Sequence, residues 1–289
     1  MFAIAVEQGQ YKTYTLSDQA TKTSLEVIPE RGGIVTRWRV QGQEIFYLDV
    51  ARLTDPTLTV RGGIPILFPI CGNLPDNTYT HNGQSYTLKQ HGFARELPWE
   101  VVDQVTDDRA SITLSLTSND QTRAVYPFDF ELLFTYSVDG NKLIAQQRYT
   151  NHSAEPMPFS AGFHPYFQVL DKTQLEVDIP ADRLLNQPNK TEHPFNGTFD
   201  FDQDEIDVAF TALSRQSSSI TDRAQGFRLT LTQSDEFSMI VFWTVKGKPF
   251  YCLEPWTAGR NALNTGDRLL SLAPGASLET VFSLRADFL

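Results

Sequence analysis

Alternation with a period of two restricts this chain more than any other feature. From Ala110 to Thr117, Ile112, Leu114 and Leu116 alternate with Ser and Thr, and over 227–232 Phe227, Leu229 and Leu231 alternate with Arg228, Thr230 and Thr232. Near the C-terminus Leu278, Thr280, Phe282 and Leu284 alternate with Glu279, Val281, Ser283 and Arg285. Successive side chains of a strand point to opposite faces, so such runs build strands with one buried face. Further strands are expected over 23–28, 34–40, 44–48, 130–138, 142–150, 174–179 and 237–244. Within the last, Met239-Ile240-Val241-Phe242-Trp243 is apolar throughout, which suits a strand buried on both faces. No amphipathic segment supports a helix of more than about ten residues, and no long repeat suggests a propeller or solenoid. The expectation is an all-β fold, a large antiparallel sandwich or barrel.

Turn chemistry separates the runs. Val138-Asp139-Gly140-Asn141-Lys142 and His81-Asn82-Gly83-Gln84 both read as hairpins. The stretch 181–207 is polar and rich in Asn, Pro, Asp and Glu, so it reads as a long loop excursion of the functional kind. No linker divides the chain, and residues 1–289 are read as one domain.

Composition narrows the partners. The 289 residues carry 24 Lys and Arg against 35 Asp and Glu, a net charge of −11, which opposes binding to nucleic acid or an anionic membrane surface. Hydrophobic residues at 40% are too many for a disordered chain. Cys71 and Cys252 are no disulfide framework and read as two buried thiols in a reducing compartment. The N-terminus lacks the basic start and apolar length of a signal peptide, and no run approaches a membrane span, so a cytoplasmic protein is expected. No heptad or apolar helix announces an oligomer.

Four segments set polar groups among Gly, Pro and aromatics. In Arg61-Gly62-Gly63-Ile64-Pro65 the glycines permit a tight turn that fixes Arg61 as a cation, either for a hydroxyl, phosphate or carboxylate or for an internal acid. In His91-Gly92-Phe93-Ala94-Arg95, His91 is a hydrogen-bonding group in a tight place or a packed core histidine. In Gly162-Phe163-His164-Pro165-Tyr166-Phe167, Pro165 holds His164 extended beside aromatics that could stack on a sugar ring, and imidazole exchanges protons near neutrality. In Tyr251-Cys252-Leu253-Glu254-Pro255-Trp256 the apolar flank would desolvate Glu254 and raise its pKa, or else demand a cationic partner. The five histidines form no HxH or HExxH pattern, and no nucleophile elbow, phosphate loop or dinucleotide fingerprint occurs.

Taken together and in this order, the four segments resemble the aldose 1-epimerase (galactose mutarotase-like) family, and within it the hexose-6-phosphate 1-epimerase branch. The resemblance spans nearly the whole chain and implies the family's large β-sandwich. It also implies interconversion of α and β anomers through ring opening, with a base for the C1 hydroxyl and an acid for the ring oxygen on opposite sides of the anomeric centre. Glu254 matches the family's base and His164 its acid. His91 matches the second histidine near the ring oxygen, and Asp207 is the best match for an aspartate that binds sugar hydroxyls. Arg61 and Arg95 resemble the phosphate-specific branch and suit a clamp on a 6-phosphate, while Trp256, Phe93 and Tyr166 are expected to stack on the sugar. No metal or cofactor is implied, and the expected partner is a sugar or sugar phosphate. A non-catalytic sugar-binding or regulatory protein on the same fold is the alternative, and a lyase or glycoside-active enzyme the third reading, disfavoured because only one strong carboxylate candidate is present.

Overall fold

The computed structural model describes all of residues 1–289. Its strands pair antiparallel throughout, and its helices are turns of three to five residues. None is long and apolar enough to cross a membrane. The alternating runs form strands where expected: Ala110–Thr117, Phe130–Asp139, Lys142–Asn151, Phe227–Gln233 and Ser277–Phe288 lie in one eight-stranded sheet. A second eight-stranded sheet contains Glu205–Phe210, Met239–Val245 and Phe250–Trp256 at its centre, with Gly162–Phe163, Tyr166–Gln168 and Ile66–Leu67 along one side. A five-stranded N-terminal sheet runs from Phe2–Gln8 to Gln43–Glu44. Both expected hairpins form, closing between Asp139 and Lys142 and between His81 and Gln84.

The two large sheets pack face to face through aromatic rings. Phe163 of the second sheet meets Phe282 of the first at 4.4 Å between centroids and Phe134 at 5.7 Å, and all three are buried. Phe68 joins Phe130 and Tyr149 in the same way, at 5.1 and 6.1 Å. A single apolar cluster runs through these residues and on into the N-terminal sheet at Leu16, Leu25 and Trp38.

Two expectations are corrected. The stretch 181–207 is not a structureless loop: Arg183–Asn186 and Thr191–Pro194 make a hairpin at the edge of the second sheet, and the strand Glu205–Phe210 begins before the stretch ends. Its strands are half-exposed or exposed, so they rest on backbone pairing and leave no apolar alternation to read. The segment 44–48 is not one strand either. Gln43–Glu44 closes the N-terminal sheet, after which Phe46 and Leu48 make single bridges to Phe167 and Gly62, carrying the chain across to the second sheet.

Phe282→Ala would leave a cavity at the centre of this aromatic layer. A loss of about 3–5 kcal/mol is expected in urea unfolding, against a change within about 0.5 kcal/mol for the surface substitution Val281→Thr.

Candidate active site

The strand Phe250–Trp256 organises the site because both of its faces are covered. Tyr251 and Leu253 enter the core between the sheets, whereas Cys252, Glu254 and Trp256 point the other way, to the outer face of the second sheet. Register then aligns the neighbours. Asp207 lies opposite Trp243, Trp243 opposite Cys252, and Cys252 opposite Tyr166, while one row on Ala209, Val241 and Glu254 are aligned. Asp207 and Glu254 are therefore two strands apart, at roughly 4.8 Å per strand, and one row apart along them, with Val241 and Trp243 as the floor between them.

Above this floor is a cleft of about 500 Å³ whose lining includes Glu254, His164, His91, Asp207, Arg61, Arg95, Trp256 and Tyr166. Eight of the nine residues singled out in the sequence thus meet in one place. Phe93 does not join them. Its amide and that of Ala94 both donate to the Phe68 carbonyl, at 3.0 and 3.2 Å, and this turn directs the ring into the core, where it stacks on Phe130 at 5.9 Å.

Glu254 and His164 are in direct contact. His164 Nε2 lies 3.4 Å from Glu254 Oε1, and Trp256 Nε1 donates to Glu254 Oε2 at 3.1 Å. No arginine or lysine lies at ion-pair distance from Glu254, which is 1% exposed. The two groups stand side by side rather than on opposed sides of a ring. His164 is flanked by Tyr166, stacked at 4.7 Å, and by Trp243 edge-on at 5.6 Å. His91 lies edge-on to both His164 and Trp256, at 5.6 and 5.5 Å. The Gly72 amide donates to His91 Nδ1 at 3.0 Å, which leaves Nε2 to carry the ring's proton.

The cations differ in their attachments. Gly62 and Gly63, at φ of +137° and +58°, make the turn that sets Arg61 exposed at the cleft rim, where it forms no ion pair. Arg95 Nη2 donates to the Gln90 carbonyl at 2.9 Å, while its Nε is buried without a partner. Arg260, which the sequence reading missed, is tied down: it bonds Asp207 Oδ2 at 2.8 Å, Gln187 Oε1 at 3.0 Å and Asn73 Oδ1 at 2.9 Å. Gln187 in turn donates to Asp207 Oδ1 at 2.6 Å. Trp243, whose indole donates to Glu205 at 2.6 Å, and Arg52 were missed as well. Trp243 sat inside a run read as wholly buried, and its half-exposure reports the cleft. Arg260, four residues beyond Trp256, carried the one available signal, closeness to the fourth motif.

His164, Cys252 and Glu254 place donor atoms within 4.8 Å of one another, a set that could hold a metal ion. Cys252 and Glu254 are two apart on one strand and the histidine comes from the link between Gly162–Phe163 and Tyr166–Gln168, so no sequence spacing reveals it. Both cysteines are free and buried, as expected.

A family model described as aldose 1-epimerase matches residues 12–285. Among solved structures, the Slr1438 protein from Synechocystis sp. PCC 6803 superimposes with a TM-score of 0.95 at 43% identity over 100% of both chains. A galactose mutarotase-like protein from Clostridium acetobutylicum gives 0.84 at 19% identity, covering 100% of this chain and 99% of the other. "Protein LacX, chromosomal" of Lactococcus lactis is 26% identical over 242 residues, 72% of this chain and 78% of its own. The "Putative glucose-6-phosphate 1-epimerase" of Escherichia coli (strain K12) is 26% identical over 161 residues, 55% of this chain and 50% of its own. Fold and cleft therefore define a mutarotase-like β-sandwich, a class of sugar-epimerising proteins. The chain belongs to the aldose 1-epimerase family.

Burial sets the protonation of the pair. Desolvation, with Asp207 as a nearby negative charge, raises the Glu254 pKa well above its ordinary 4.5. Desolvation, with Arg95 as a nearby positive charge, lowers that of His164 from 6.5 to about 3. In the folded protein the pair thus holds one proton, on the carboxyl group, from about pH 3 to well above pH 4.5. The unfolded chain holds two protons on these groups below 4.5, one between 4.5 and 6.5, and none above 6.5. Stability rises with pH where the unfolded state binds more protons and falls where it binds fewer. The pair's contribution therefore declines as pH drops below 4.5, and, for as long as the folded Glu254 keeps its proton, it is flat from pH 4.5 to 6.5 and declines as pH rises above 6.5. Urea unfolding at pH 6.5 and pH 8.5 should show wild type losing stability relative to Glu254→Gln, at up to about 1.4 kcal/mol per pH unit. An unchanged difference between the two would mean that Glu254 is ionised in the folded protein.

Proposed function

We propose that the cleft interconverts the α and β anomers of a hexose by acid–base ring opening, with Glu254 as the base and His164 as the acid. The observation that carries this reading is the 3.4 Å contact between the two groups in the floor of a polar cleft. The C1 hydroxyl and the ring oxygen are bonded to one carbon, so two groups standing side by side reach both.

The shared proton makes the cycle self-contained. Its transfer from Glu254 to His164 across their contact converts carboxyl and imidazole into carboxylate and imidazolium, with no exchange with solvent. Glu254 then takes the proton of the C1 hydroxyl while His164 gives its own to the ring oxygen. The C1–O5 bond breaks, leaving an open-chain aldehyde and the pair again with one proton. After rotation about C1–C2, His164 takes back the O5 proton and Glu254 returns one to the new C1 hydroxyl. Burial of the pair excludes water that would compete for these protons. His91, with its proton held on Nε2, hydrogen-bonds the ring oxygen in this reading. Asp207 and Arg260, mutually fixed at 2.8 Å, bind the sugar hydroxyls on the far side of the floor. Tyr166 and Trp256 are apolar walls for the ring above the floor of Val241 and Trp243.

The substrate we infer is a hexose 6-phosphate. Arg61 without an ion-pair partner and Arg95 with an unsatisfied Nε are cations still free to bind an anion. The name borne by the Escherichia coli relative and by a Cenchrus ciliaris relative, 28% identical over 63% of this chain, agrees. An otherwise acidic protein thus presents a local positive pocket to its substrate.

A positioned acid or base contributes about 10²–10⁴-fold, so Glu254→Gln and His164→Asn should each lower kcat by that factor in a polarimetric anomer assay, with the fold intact by circular dichroism. A near-native rate in either removes that group from the reaction. His91→Asn should impair both kcat and KM. In the same assay with glucose and glucose 6-phosphate, Arg61→Ala and Arg95→Ala should lower kcat/KM for the phosphate ester more than for the free sugar. A phosphate preference that survives both substitutions rules out the clamp.

A further inference from the structure

Outside the cleft, the turn from Pro29 to Gly33 touches both of the segments that carry its cations. Arg31 is buried, 7% exposed, yet meets no carboxylate. Its guanidinium donates instead to four carbonyl oxygens, those of Leu53 and Arg52 at 3.2 Å, Asp55 at 2.9 Å, and Leu58. These belong to the helix Val50–Thr54 and the loop that leads on through Thr59 to Arg61. Nε faces the Leu53 carbonyl, and the two hydrogens of Nη2 are shared among the other three, so the guanidinium ties the helix to the loop that follows it.

The residue after Arg31 holds the other segment. Gly32 has φ +84°, and a Cβ there would fall 2.1 Å from the Arg95 carbonyl oxygen, so the backbone of Arg95 rests directly on the turn. The Pro29 carbonyl also accepts the Trp99 amide at 3.0 Å. A cross-tie completes the frame: Thr59 Oγ1 donates to Glu96 at 2.9 Å, linking the two segments beside Arg61 and Arg95. Arg52, on the Arg31-held helix, lines the cleft with its Nη1 on the Thr59 carbonyl at 3.1 Å. Asp207 and Arg260, by contrast, are fixed by Gln187 and Asn73, with no part in this frame.

We propose that Arg31, seated through Gly32 against the backbone of Arg95, is a positioning residue that sets the spacing of Arg52, Arg61 and Arg95 and thereby the protein's selectivity for an anionic over a neutral sugar. The inference rests on the reading of Arg61 and Arg95 as a phosphate clamp, and it adds Arg52 to that clamp. An anion held by several cations is sensitive to their separation, and a displacement of about 1 Å is costly. The pair Glu254 and His164 stands on the sheet itself, outside the frame that Arg31 maintains.

The test is initial-rate kinetics on glucose 6-phosphate and on glucose, for wild type, Arg31→Met, Arg31→Gln and Arg61→Ala. Both Arg31 variants should raise KM for the phosphate ester about tenfold. They should leave its kcat, and both constants for the free sugar, within about twofold. Retained turnover of the free sugar reports the intact fold, and Arg31→Gln gives the reading if the methionine variant does not fold. Equal losses on both sugars, or an unchanged KM for the phosphate ester, overturn the positioning role. If Arg61→Ala still loses phosphate preference in that case, the clamp stands and this inference alone fails. A wild type without phosphate preference removes the clamp, and this inference with it.

Discussion

A carboxyl group buried on a strand, with no cation at ion-pair distance, is the constraint on which the site depends. Leaving such a group charged and unpaired costs several kcal/mol. The protein meets that cost with a proton and two neighbours, the Trp256 indole and the His164 imidazole. Both neighbours are held by the same sheet: Trp256 is two residues along the strand from Glu254, and His164 lies between Gly162–Phe163 and Tyr166–Gln168, which pair with that strand. The pair proposed to move protons is therefore anchored to the sheet, whereas the groups proposed to hold a phosphate stand on loops above it.

The sandwich explains why the site lies on an outer face. Its core is filled by aromatic rings from both sheets, and the cleft opens on the opposite face of the second sheet. On the other side of the second sheet, Val241 and Trp243 form a floor between Asp207 and Glu254. The surrounding segments close this floor into a cleft and supply its cations. In the proposed reading labour is divided: the sheet carries the chemistry, and the loops select which sugar reaches it.

Much of this was legible in the sequence, for physical reasons. Ala110–Thr117 and Ser277–Phe288 announce themselves because one face of each is buried. The edge strands Phe2–Gln8 and Glu100–Val105 do not, since they are largely half-exposed or exposed and are held by backbone pairing. Glu254 and His164 were found because apolar, Gly and Pro neighbours betray a polar group under constraint. Phe93 was misplaced because its motif fixes where the backbone turns but not which way the ring faces. Arg260, Gln187 and Arg52 escaped because their roles arise from contacts between distant segments, such as the 2.8 Å bond from Arg260 to Asp207, which no local pattern encodes. Arg31 is the extreme case, an arginine in an unremarkable turn whose partners are all backbone carbonyls.

The central claim is that the buried pair exchanges protons with an anomeric centre rather than merely lying beside a bound sugar. Magnetisation transfer between the α and β anomeric protons of glucose 6-phosphate, in the presence of wild-type protein, tests it most directly. The account predicts exchange far faster than in buffer alone, sustained across the pH range over which the pair holds its single proton. Exchange at the buffer rate, with the sugar bound in the cleft, would contradict it and leave a protein that binds sugars without converting them.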